Sequence, residues 1–184
     1  MSGRAIGAHL AATDRVAIEA QLGRPPRDVV RVAHRCPCAL PDVVTTAPRL
    51  SDGTPFPTHY YLTCPRAASA IGTLEASGLM RDMTEQVGRD SALAERYRRA
   101  HELYLADREA CAEVEEIAHV SAGGMPDRVK CLHVLVAHSL AAGEGVNPLG
   151  DEALTRLPAW WTAGPCVEMD QTPGGCAETA SEPG

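Results

Sequence analysis

Hydrophobic positions recur at helical spacing in several separate stretches of this chain and alternate in one short stretch near its start. Val129, Leu132, Val136 and Leu140 follow one another at intervals of three or four, with Leu135 and Ser139 widening the stripe. This spacing predicts a helix over residues 126–142, with Pro126 at its first position, Asp127 near the positive end of its dipole and Gly143 as its stop. Val16, Ile18 and Leu22 mark a shorter helix that Asp14 can cap and that Gly23 and Pro25-Pro26 end. Ala67, Ala70, Ile71 and Leu74 form a stripe behind Cys64-Pro65 and stop at Gly78, and Leu79, Met83 and Val87 form the next. Leu93, Tyr97, Ala100, Tyr104 and Cys111 mark a long helix opened by Asp90, which loosens at the acidic run Glu113, Glu115 and Glu116.

Val29–His34 alternates in the manner of a strand, and Asp42–Thr46 and Thr58–Thr63 read as a second and a third strand. The first two are joined by the turn-rich stretch Arg35-Cys36-Pro37-Cys38-Ala39-Leu40-Pro41, and Asp52-Gly53 signals the next reversal. Asp151–Leu157 adds a last helical turn or two, and Trp160-Trp161 is expected to fold back on the body. The expected fold is therefore α+β, a single domain over residues 13–163 in which a three-stranded antiparallel sheet packs against four to five helices. Residues 1–12 and the acidic stretch 164–184 are expected to be disordered.

Charge changes this picture in one respect. The net charge of −7 argues against nonspecific nucleic-acid binding, yet residues 1–66 hold 8 Lys and Arg against 5 Asp and Glu. Arg24, Arg27, Arg31 and Arg35 cluster there, as a solvated basic edge or as the source of an anion site. No run approaches the roughly 20 apolar residues of a membrane span. Seven cysteines without a secretory signal read as thiols or ligands in a reducing cytoplasm.

Three stretches carry candidate chemistry. Cys64 stands at the expected N-cap of a helix, where the dipole favours a thiolate, and is the leading candidate for a reactive or ligating sulfur. On the expected 126–142 helix, Cys131 and His138 share a face about 10.5 Å apart along the axis, while His133 points away from Cys131. Gly123 and Gly124 before that helix, with Arg128 and Lys130 in its first turns, could hold a phosphate or carboxylate, although a plain connection has the same appearance.

Several segments resemble a bacterial family known as DUF501: Leu22-Gly23-Arg24-Pro25-Pro26-Arg27, Arg35-Cys36-Pro37, Phe56-Pro57-Thr58, Tyr61-Leu62-Thr63-Cys64-Pro65 and Leu74-Glu75 with Gly78. Further on come Val129-Lys130-Cys131-Leu132-His133, Ala137-His138 and Asn147-Pro148-Leu149-Gly150, so the resemblance spans about residues 20–152. Ala39 departs from it, since relatives often have glycine there. The resemblance implies no established activity. It draws attention to Cys36, Cys64, Cys131, His133 and His138, and the family's genes often stand near those for a septum-formation initiator protein, an enolase and an exopolyphosphatase, an association that carries no mechanism.

Three functional expectations follow. The first is zinc or an iron-sulfur cluster held by Cys36, Cys64 and Cys131 with His133 or His138, and Cys38 as substitute. The second is a site for a phosphorylated or carboxylated small molecule at Gly123, Gly124, Arg128 and Lys130, with Cys64 or His138 as catalytic group. The third is an interaction protein whose cysteines and histidines are structural.

Overall fold

The structure is a computed structural model that describes residues 10–120 and 122–169. Residues 1–9 and 170–184, most of the two ends expected to be disordered, lie outside the described residues.

Strands β1 (Val29–Arg35), β2 (Pro41–Thr46) and β3 (Tyr60–Leu62) form an antiparallel sheet in the order β1-β2-β3. The central strand is buried throughout, because it has a neighbour on each edge and a covered face on each side. Val44 pairs with Val32 on one edge and with Tyr61 on the other. The β1–β2 reversal is a turn in which Ala39 N–H donates to Cys36 O at 2.8 Å and Cys36 N–H to Leu40 O at 3.0 Å. Ala39 takes φ 71°, a left-handed conformation that favours glycine.

Among the described residues six α-helices accompany the sheet: α1 (Ala12–Leu22), α2 (Pro65–Ala76), α3 (Leu79–Arg89), α4 (Ser91–Cys111), α5 (Leu132–Ala142) and α6 (Pro148–Arg156). Asp90 caps α4 as its position suggested, accepting from the N–H groups of Ala92 and Leu93. Val43, Tyr60, Ile71, Met83, Tyr104 and Leu135 meet in the core, so α5 lies across the inner face of the sheet with α2, α3 and α4 around it. Arg108 of α4 is buried there and donates to the carbonyls of Pro57, Ile117 and Val120, which ties the 117–120 turn to the sheet edge.

The helix expected over 126–142 begins only at Leu132. The intervening N–H groups find partners outside a helix: Val129 donates to Thr84 Oγ1 on α3 and Lys130 to Gly123 O. Pro126 and Asp127 are therefore loop residues, and hydrophobic spacing before Leu132 reports burial of Val129 against α3 rather than helix.

α6 starts one turn earlier than expected. Asn147 caps it, its side chain accepting from the Gly150 N–H at 3.0 Å, and Pro148 occupies the first turn. Gly150 permits the close crossing of α5 and α6: a Cβ there would come within 2.3 Å of Leu135 O. Trp160 and Trp161 are half-buried and meet edge to face, 4.8 Å between ring centres.

Candidate functional site

Cys131 is the N-cap of α5, with extended backbone at φ −154° and ψ 113°. Being outside the helix, its side chain escapes the helical wheel that sets it opposite His133. Sγ of Cys131, a ring nitrogen of His133 and a carboxylate oxygen of Glu75 all lie within 4.8 Å of one another. The expectation that His133 points away from Cys131 is thereby corrected.

Glu75 ends α2 and reaches the start of α5. Its Oε1 accepts from the Leu132 N–H at 2.6 Å and lies 3.2 Å from His133 Nδ1. A carboxylate at this helix start satisfies an otherwise orphaned N–H and faces the positive end of the dipole. His133 Nε2 donates to Ala68 O at 3.2 Å, so both ring nitrogens face acceptors. Its pKa is raised to about 9, first by the hydrogen bond with Cys131 and then by Glu75, against the opposing effect of burial. Glu75 was not singled out as a site residue, although it stands four positions after Ile71 and so on the buried side of α2.

Cys131 and His133 also line a cleft of about 570 Å³ between β3 and the starts of α2 and α5, together with Tyr60, Leu62, Thr63 and Pro65. Two of the three, Cys131 and His133, thus face a cavity large enough for a small molecule.

The remaining candidates lie elsewhere. Cys64 caps α2 as expected, but burial outweighs the helix start and pushes its thiol up to about 12; its neighbour is Cys166, which accepts from Gln21 Nε2 at 3.2 Å. Cys36 is buried beside Cys38 in the β1–β2 turn, with its thiol pushed up to about 11 by burial. Among the described residues, Glu75, Cys131 and His133 form the group able to share one ion, and Cys36, Cys38, Cys64 and His138 stand outside it.

His138 is fully buried between Tyr60, stacked at 5.6 Å, and Tyr104, edge-on at 5.2 Å. Burial pushes its pKa down to about 4. The ring is thus held neutral and packed between the two tyrosines, away from the cleft of Cys131 and His133.

Gly123 and Gly124, at φ 65° and 93°, close a loop against its own backbone: Arg128 N–H donates to Gly124 O and Lys130 N–H to Gly123 O. A Cβ on Gly124 would lie 2.7 Å from Arg128 O, so the glycines serve that crossing. With α5 starting at Leu132, the turn does not run directly into a helix, and the backbone N–H groups of Arg128 and Lys130 are taken by Gly124 O and Gly123 O, which leaves the expected anion cradle at Gly123, Gly124, Arg128 and Lys130 without the backbone donors that a following helix would give it.

The profile of the family described as protein of unknown function DUF501 matches residues 32–155, which include Glu75, Cys131, His133 and the whole sheet apart from the start of β1. The chain belongs to the DUF501 family. No curated protein and no solved structure matches it. The DUF501 match begins after Arg27, so the basic Leu22–Arg27 segment lies before it. Among the described residues no helix of this DUF501 chain is long and apolar enough to cross a membrane.

Proposed function

We propose that the protein binds one transition-metal ion of the zinc type at Glu75, Cys131 and His133, with a fourth position open toward the adjoining cleft. The meeting of three donors of different chemistry within 4.8 Å supports this reading. Thiolate, imidazole and carboxylate together suit zinc, and three protein ligands leave room for water or substrate. His133 Nε2–H on Ala68 O is the outer hydrogen bond that orients a ligating imidazole, leaving Nδ1 for the ion. The Leu132 N–H does the same for Glu75. One sulfur in the set suits a single ion better than an iron-sulfur cluster. In that position the ion would supply Lewis-acid chemistry to a substrate in the cleft. The six cysteines among the described residues are all free, which fits a reducing compartment, and we propose a cytoplasmic location.

Titration of the metal-free protein with cobalt(II) tests the reading. A thiolate-to-cobalt charge-transfer band should saturate at one ion per chain, disappear in Cys131→Ser, weaken strongly in His133→Asn and Glu75→Gln, and persist in Cys36→Ser and Cys64→Ser. No saturable band, or a band that survives Cys131→Ser, overturns it.

The approach of Cys131 Sγ and a His133 ring nitrogen to within 4.8 Å favours a second reading, a thiol nucleophile activated by an imidazole that Glu75 orients. That reading gives no cobalt band and predicts loss of labelling by electrophilic probes in His133→Asn. A protein of the division machinery with structural cysteines would instead keep its partner interactions when Cys131 becomes serine.

A further inference from the structure

The outer face of the sheet carries a second cavity, of about 350 Å³, on the side away from α5. Val44 and Tyr61 form its floor, Leu22 and Phe56 stand at its sides, and Arg24 and Arg27 reach its mouth. Strand alternation accounts for the floor: Val43 and Tyr60 turn inward to the core, so Val44 and Tyr61 must turn outward. The Leu22–Arg27 segment leaves α1 and passes beside that face before β1 begins, which carries both arginines to it.

From this cavity we infer a binding site for a small organic anion, a phosphate monoester or carboxylate attached to an apolar or aromatic body. Its volume lies at the lower end of the roughly 300–1,000 Å³ typical of small-molecule sites, so the body is small. Phe56, the one phenylalanine of the chain, and Tyr61 offer ring surfaces to a planar group. The two guanidinium groups are free to take an anion. Among the described residues neither Arg24 nor Arg27 has an ion-pair or hydrogen-bond partner, whereas Arg35, of the same basic cluster, is held by Asp14 at 2.7 Å. Asp52 is the acid that feels the charge of Arg27, without contact between them. Guanidinium pairs recognise planar carboxylates and phosphates through forked hydrogen bonds, which sets their chemistry apart from that of lysines. Leu22 and Tyr61 also line the cleft of Cys131 and His133, so the two cavities share a wall; the inference does not depend on metal at that centre.

Calorimetric titration with phenyl phosphate and with benzoate, EDTA present so that no metal in the neighbouring cleft takes the anion, tests it. At least one of the two should bind with a Kd of about 1 mM or tighter, and which one binds separates phosphoryl from carboxylate recognition. The double variant R24Q/R27Q should weaken that binding by about tenfold or more. Because both side chains are exposed and without partners among the described residues, the variant should keep the wild-type Tm. Binding of inorganic phosphate or of phenol as tight as that of phenyl phosphate, binding unchanged in the double variant, or no binding of either probe overturns the inference.

Discussion

Asn147 Nδ2 donates to His138 Nδ1 at 3.2 Å while Asn147 Oδ1 accepts the N–H of Gly150 at 3.0 Å. A loop residue thereby caps α6 and fixes the proton of a neutral core histidine on Nε2. Replacing Asn147 by alanine removes a cap, a loss of about 1 kcal/mol. It also strands the buried Nδ1 acceptor, which costs about 1–3 kcal/mol more. The urea midpoint should fall accordingly, with the unfolding m-value kept. A midpoint unchanged from wild type would mean that the contact carries no weight.

Stability should pass through a maximum near neutral pH in the presence of EDTA. His138 has its folded pKa pushed down to about 4, below the unfolded value of about 6.5, so its contribution is present above pH 6.5 and is lost as pH falls through 4. That loss is on the order of 3 kcal/mol. Buried His59 shifts in the same direction. His133, raised to about 9, contributes fully below pH 6.5 and loses its contribution as pH rises through 9. Urea midpoints across pH 4–9.5 should show both limbs, with His138→Gln flattening the acid limb and His133→Gln the alkaline one. Slopes unaltered by these changes would count against the assignment.

Ala39 pays a conformational cost at φ 71° that glycine would not. The left-handed region costs an L-residue about 1–2 kcal/mol, and glycine returns part of the gain through the entropy of the unfolded chain. Ala39→Gly should therefore raise stability by about 0.5–1 kcal/mol in denaturant unfolding. A decrease would show that the turn relaxes in solution to a conformation that alanine prefers.

Thiol labelling should follow position. Cys36 and Cys64 are buried with their thiols pushed up to about 11 and 12, whereas Cys131 is half-buried on the wall of the cleft beside His133. Peptide mapping after brief iodoacetamide treatment of the native protein at pH 7.5 should find Cys131 modified well before the other two. Stoichiometric zinc should slow that modification if the ion sits where proposed. Cys36 or Cys64 reacting first would contradict the burial described above.

What the sequence determined by itself is local. Asp90 and Pro65 marked their helix starts because a cap and a missing N–H act within a few residues. Alternation located β1, and short runs bounded by turn residues located β2 and β3, because turn chemistry and the period of a strand both act within a few residues. Cys131 and His133 could be singled out as reactive types, but not as neighbours. Their meeting depended on where α5 starts, and that start was decided by Thr84 and Glu75, which take the N–H groups of Val129 and Leu132 across 45 and 57 residues. Cys64 shows the same limit in reverse: its helix position was legible, yet burial, a property of the assembled core, overrode the dipole. Tertiary structure decided the site because hydrogen-bond partners and desolvation are set by what the fold brings alongside a residue, and spacing along the chain does not carry that information.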